Sequence, residues 1–213
     1  MTTTRLTRST RTIQHRLGAI ALALAAASTL NGCALLVGGA MVGGTMMMTD
    51  RRTSGAQVED QGIELKSAGR VREVLGSAGH VNVTSYNRQV LLTGEVPTEG
   101  DKAAIEAAVG RTENLRTIVN ELAVTSPSSI GGRSNDTLIT SKVKASLVDA
   151  KDIISSAFKV VTERSVVYLM GRVTEREANR ASDVARGVPG VEKVVRVLDV
   201  VSEAELAGQV PAK

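Results

Sequence analysis

The sequence predicts an α+β chain of two tandem small domains, each ordered α-β-β-α-β with a mixed three-stranded sheet on two helices. Three observations carry this. Val166–Ala178 shows a complete unit: Val167, Leu169, Gly171 and Val173 alternate with Tyr168, Met170 and Arg172, the period of a strand with one buried face. Directly after it, Thr174-Glu175-Arg176-Glu177 has the spacing of a capping box, in which the hydroxyl and the carboxylate satisfy backbone N–H groups reciprocally. The same unit stands earlier as Val90–Val96 followed by Thr98-Glu99-Gly100-Asp101, with Gly94 lying 77 positions before Gly171.

Further matches extend the repeat. Val83 corresponds to Val160 and Gly110 to Gly187. One residue out of phase, Leu115 corresponds to Val191 and Ile118 to Val194. Upstream, Asp60-x-x-Ile63-x-x-Lys66 returns as Asp136-x-x-Ile139-x-x-Lys142. Each copy spans roughly 70–75 residues, so each core is small.

The first copy (58–124) opens with a helix over Asp60–Leu75, with Ile63, Ser67, Val71 and Val74 on one stripe. Ser77–Gly79 breaks it. Val81–Ser85 is a strand, Asn87-Arg88 a turn, and Gln89–Val96 the returning strand. A helix follows from Asp101 to Val109, with Ile105 and Val109 inward and Gly110 at its end. Leu115–Val124 is the last strand, turning Ile118 and Leu122 inward. Residues 125–135 (TSPSSIGGRSN) read as a flexible Ser/Gly/Pro linker. The second copy (136–202) runs helix Thr137–Ala150, strand Phe158–Thr162, turn Glu163–Ser165, strand Val166–Val173, helix Glu175–Arg186 and strand Val191–Val201. Pro189-Gly190 sets its last turn, and 203–213 reads as a loose tail.

Residues 1–32 read as an address. Met1–Arg16 is basic, and Leu17–Leu30 is a 14-residue apolar run, the length of a signal-peptide core and too short to span a bilayer. The run ends at Leu30-Asn31-Gly32-Cys33, the pattern of a bacterial lipobox, which implies cleavage before Cys33 and lipidation of its thiol and amine. The alternative is a free thiol in an ordinary secreted chain. Cys33 is the sole cysteine, so no intramolecular disulfide can form. Ala34 in place of an Asp after the cysteine points to export to the outer membrane. Residues 33–57 read as a membrane-proximal tether, apolar and Gly/Met-rich as far as Met48 and polar and flexible over Thr49–Gln57.

The net charge of +4 comes from the four arginines of residues 1–32; the remainder carries 22 basic and 22 acidic residues. With no Trp and only Phe158, Tyr86 and Tyr168, the chain also lacks the aromatic platforms of base-stacking modules. Both points argue against a nucleic-acid partner. The first copy is slightly acidic (9 basic, 11 acidic over 50–124) and the second slightly basic (13 and 11 over 125–213).

Catalysis is not expected. Past residue 32 the one histidine is His80, placed in a helix-to-strand turn. No Cys/His cluster has metal spacing and no nucleophile elbow is present. Glu175 and Glu177 are helix-start acids, favoured there by the helix dipole. Gly94 and Gly171 are isolated glycines marking a strand bend or a close approach, not a phosphate loop. No cofactor, metal or small-molecule substrate is implied.

The element order, the Val-x-Leu-x-Gly strand and the ending Gly187-Val188-Pro189-Gly190-Val191-Glu192-Lys193-Val194 resemble the BON domain. With the lipobox, the tandem copies and the runs Ser134–Thr137 and Leu169–Ala178, the chain is similar from Cys33 to Val201 to the dual-BON outer-membrane lipoproteins of Gram-negative bacteria. The resemblance implies a periplasm-facing, phospholipid-binding protein that supports outer-membrane integrity, is associated with the division site and envelope stress, and is not an enzyme.

The repeat also nominates a lipid-binding site. Core positions should recur, as Ile63/Ile139, Ser67/Val143 and Val71/Leu147 do, whereas Leu138 falls opposite Gly62. It lies one turn from Lys142, with Arg133 and Lys144 near in sequence: an apolar side chain among basic ones, as on helices that lie in a lipid interface. The expected lipid-binding set is Leu138, Ile139, Lys142, Val143, Lys144 and Arg133, facing anionic phospholipid. The alternative places Leu138 against the first domain or its own sheet. At the level of function, the alternative is a protein-interaction adaptor whose docked domains recruit an envelope partner.

Overall fold

The computed structural model describes residues 50–207. In chain order the first domain comprises α1 (Ser54–Leu75), β1 (His80–Tyr86), β2 (Gln89–Val96), α2 (Glu99–Val109), β3 (Thr117–Asn120) and β4 (Ala123–Val124). The second comprises α3 (Ile130–Asp149), a 3₁₀ turn (Ser155–Ala157), β5 (Phe158–Glu163), β6 (Val166–Val173), α4 (Glu175–Arg186) and β7 (Lys193–Val200), and α5 (Glu203–Ala207) follows. Each sheet pairs its first two strands antiparallel and its last parallel to the central one. The α+β tandem predicted from the repeat is the fold.

Each core lies between one sheet face and two helices. Ile63, Val71, Leu75, Val90, Leu92, Val96, Ile105, Val109 and Leu122 fill the first. Ile139, Val143, Leu147, Val160, Val167, Leu169, Val173, Ala178 and Ala181 help fill the second. Val74, expected inward, is exposed, and Leu75 takes its place because the stripe drifts round by one position at the helix end.

The repeated residues have repeated jobs. Asp60 on α1 is buried and accepts from the N–H groups of Asn87 and Arg88 (2.8 and 2.8 Å), which form the β1–β2 turn with positive φ. Asp136 on α3 does the same for Arg164 and Ser165 (2.8 and 2.9 Å) in the β5–β6 turn. One carboxylate thus fastens each first helix to its hairpin. A Cβ on Gly94 would lie 2.1 Å from the His80 carbonyl oxygen, and one on Gly171 2.4 Å from that of Ala157. Both glycines mark a close backbone approach. The capping box of α4 is complete: Glu177 N–H donates to the Thr174 hydroxyl and Thr174 N–H to Glu177 (3.0 Å).

Four expectations are corrected. The stretch read as flexible before the first domain already enters α1 at Ser54, because Thr53 caps the Ala56 N–H (3.1 Å). The end of the linker belongs to α3, which starts at Ile130 because Ser129 caps the Gly132 N–H (3.1 Å), which offsets part of the cost of Gly131 and Gly132. The last strand of the first domain is split into β3 and β4, both beside β2, where Asn120 turns its side chain onto Leu122 N–H (3.2 Å). The start of the supposed tail is helical in α5, whose Glu205 pairs with Arg172.

Candidate membrane-contact face and domain interface

α3 presents two unlike faces. Inward lies the ladder Asp136, Ile139, Val143 and Leu147, all buried. Ile139 is 1% exposed and Val143 0%, so neither can touch a membrane; both leave the lipid-binding set because their helical positions face the sheet. Outward, Leu138 is 59% exposed, docked on neither its own sheet nor the first domain. Ile130 and Val148, two to three turns away along the helix, are also exposed. Arg133, Lys142 and Lys144 are exposed on the same helix. Sequence comparison of the two copies found Leu138 but passed over Ile130 and Val148, since Ile130 sat in the presumed linker.

The first domain is not bare at the equivalent place. α1 exposes Val58 and Leu65, opposite Ser134 and Ser141 of the second copy. Its charges are mixed, however: Glu59, Glu64 and Glu73 stand with Lys66, Arg70 and Arg72, and Lys66 is paired with Glu113 (2.8 Å). α3 has one exposed acid, Asp149, against three cations. The helices differ more in charge than in apolar surface.

The sheet faces away from the helices meet each other. Tyr86 and Leu91 of the first domain pack with Tyr168, Met170 and Val197 of the second, so β6 is buried on both faces rather than one. Burial, with the nearby charges of Glu121 and Glu163, pushes the Tyr168 phenol up to about 12. Polar links rim this seam. Lys159 Nζ reaches Glu64 (2.8 Å), the Asn87 amide donates to Asp199 (2.9 Å), and the Asn82 amide donates to Glu163 (2.9 Å). A cue was present in the sequence, where Tyr168 and Met170 are apolar on the side assigned to solvent.

Asp50–Arg52 spans both domains. Arg51 forms a bidentate pair with Glu177 (2.8 and 2.8 Å) and donates to the Arg172 carbonyl (3.1 Å). Arg52 pairs with Asp60 (2.7 Å), and its guanidinium lies 4.1 Å from the Tyr86 ring centre. The Arg51 hydrogen bonds, helped by Thr174 N–H against burial, hold the Glu177 carboxyl down at about 2. Burial raises the Asp60 carboxyl, but hydrogen bonds from Arg88, Ser85, Arg52 and Asn87 outweigh it and hold it below the usual range.

His80 heads β1, half-buried, with its ring 3.2 Å from the Asn82 amide. Among the described residues no three His, Cys, Asp or Glu side chains are placed to hold a metal, and no helix is long and apolar enough to cross a membrane. Cys33 lies outside the described residues.

Two α-β-β-α-β domains docked through their sheets, one presenting exposed apolar and basic side chains on its first helix, define a tandem α+β module. The BON domain family model matches residues 66–126 and 135–202, and the chain belongs to that family. It is 35% identical to the outer membrane lipoprotein DolP of Haemophilus influenzae over 84% of this chain and 93% of that protein. It is 32% identical to a 21 kDa hemolysin of Actinobacillus pleuropneumoniae over 71% of this chain and 79% of that one. A shorter match, 37% identical over 46% of this chain and 51% of its relative, is to the osmotically inducible protein Y of Escherichia coli. These relationships support an outer-membrane lipoprotein of the BON family tied to the envelope.

Proposed function

We propose that this chain is held to the inner leaflet of the outer membrane through Cys33, faces the periplasm, and binds anionic phospholipid through the outer face of α3. In this reading it supports envelope integrity, and family resemblance extends the role to the division site and envelope stress. The observation that carries the lipid reading is Leu138 standing exposed on a helix that also exposes Arg133, Lys142 and Lys144, with Ile130 and Val148 exposed two to three turns to either side. Apolar insertion and attraction of the cations to headgroups, ~1 kcal/mol each near the surface, then act together.

The test is flotation with liposomes of a chain beginning at Asp50, which removes the lipid anchor as a trivial cause of association. Vesicles containing phosphatidylglycerol or cardiolipin should carry it upward, neutral vesicles should not, and Leu138→Glu should abolish the effect while the fold persists. Undiminished binding by folded Leu138→Glu refutes the site. Absence of flotation with anionic vesicles favours the second reading, an adaptor for envelope proteins. The exposed Val58 and Leu65 of α1, set among balanced charges, are what favours that reading.

A further inference from the structure

Two carboxylates from opposite domains are buried at one end of the seam between the sheets. Glu95 on β2 is 0% exposed: Oε1 accepts from the Ser128 hydroxyl, and Oε2 has no hydrogen-bond partner among the described residues. Glu163, which ends β5, is 6% exposed and accepts the amide of Asn82 across the seam. Thr93, on the same face of β2 as Glu95, is also buried with its hydroxyl unpartnered. Among the described residues neither glutamate meets a cation within ion-pair distance. An unpaired buried carboxylate oxygen is costly, and a second carboxylate in the same low-dielectric seam adds repulsion. One proton relieves both.

We propose that Glu163, buried in the seam with the Glu95 carboxylate of the other sheet, is a proton-linked latch between the BON domains: a proton on Glu163 keeps the sheets docked, and its loss loosens them.

The neighbouring charges do not replace that proton. Lys102 and Arg164 line a cleft of about 450 Å³ on one side of Glu163, opposed there by Glu121 and Glu192. Arg133 and His80 line a smaller cleft of about 210 Å³ on its other side, with Asp136. Asp136 is itself occupied by the Arg164 and Ser165 N–H groups. Burial, with the charges of Glu95 and Asp136, raises the Glu163 carboxyl above its ordinary range against the Asn82 bond and His80. Undocking returns Glu163 to water, where a glutamate carboxyl titrates near ~4.3. Docking therefore takes up a proton. Its stabilisation is complete below the open-state value and is lost as pH rises through the raised one, by up to about tenfold in the docking equilibrium per pH unit for one proton.

The chain offers a clean probe, having no Trp and only two tyrosines, Tyr86 and Tyr168, both buried in the seam. Acrylamide quenching of tyrosine emission in the full-length protein in detergent micelles reports undocking. From about pH 5 to about pH 8, quenching should rise at least about twofold in the wild type. Glu163→Gln keeps the shape and removes the titrating carboxyl, so quenching should stay low and nearly flat, whereas Glu95→Gln removes a charge beside it and should only shrink the rise. A wild-type rise below about twofold, or a rise undiminished in Glu163→Gln, overturns the latch; a larger rise lost in Glu163→Gln supports it. The outcome is independent of whether α3 binds lipid.

Discussion

α1 and α3 are the same helix on the inside and different helices on the outside. Inward, Asp60, Ile63, Ser67 and Val71 correspond to Asp136, Ile139, Val143 and Leu147, and all eight are buried. Outward, α1 carries Val58 and Leu65 among charges of both signs, while α3 carries Ile130, Leu138 and Val148 among Arg133, Lys142 and Lys144. Packing against a close-fitting sheet constrains the inner ladder. A solvent-facing position is free to change without loss of fold. Duplicated domains can therefore share a core and divide their surface roles.

The widest difference should appear at the paired aspartates. Asp60→Ala removes the acceptor of two turn N–H groups, the Ser85 hydroxyl (2.7 Å) and Arg52, and should cost about 3–4 kcal/mol. Asp136→Ala removes the acceptor of two N–H groups and should cost about 2 kcal/mol. Chemical denaturation of each variant measures the difference. Equal losses would mean that Arg52 and Ser85 contribute nothing.

The two strand glycines sharpen the comparison next. Gly94 has φ +114° as well as its tight approach, whereas Gly171 has the approach alone. Gly94→Ala should cost about 3 kcal/mol and Gly171→Ala about 2 kcal/mol, read from the same denaturation curves.

A smaller effect separates the second helices, α2 and α4. Thr98 and Asp101 cap α2 by themselves, whereas Glu177 of the α4 box also receives Arg51. Because the folded carboxyl sits at about 2, below its unfolded value, its contribution is full above ~4.3 and is lost as pH falls from there towards about 2. Arg51→Ala should cost about 1–2 kcal/mol at neutral pH and flatten this acid limb of a Tm-against-pH curve.

The smallest effect on folding belongs to the outer faces. Leu138→Glu and Leu65→Glu should each change stability by no more than about 0.5 kcal/mol, since both side chains are exposed. Only the first should lower association with anionic vesicles. Equal losses of binding would erase the distinction between the domains.

Much of this protein was legible in its sequence because local chemistry and repetition are written there. Thr174 and Glu177 announce a helix start at any place in a fold, and Gly94 repeated as Gly171 signals a position with no room for a side chain. The inward ladders followed from helical periodicity, and Leu138 from its mismatch with Gly62. Ile139 and Val143 were misassigned to the lipid face because adjacency in sequence does not place residues on one side of a helix.

What tertiary structure alone decided lies where the two domains touch. Tyr168 and Met170 looked solvent-facing because the sequence of one strand cannot say that a second sheet covers its other face. Arg51 and Arg52 read as part of a flexible lead-in, yet their partners, Glu177 and Asp60, lie 126 and 8 residues away. Glu95 and Glu163, both buried in the seam, are 68 positions apart in the chain. Periodicity reports the environment of a residue within its own element. Which sheet face is covered, and which charges lose water together, depends on packing between elements that no local pattern encodes.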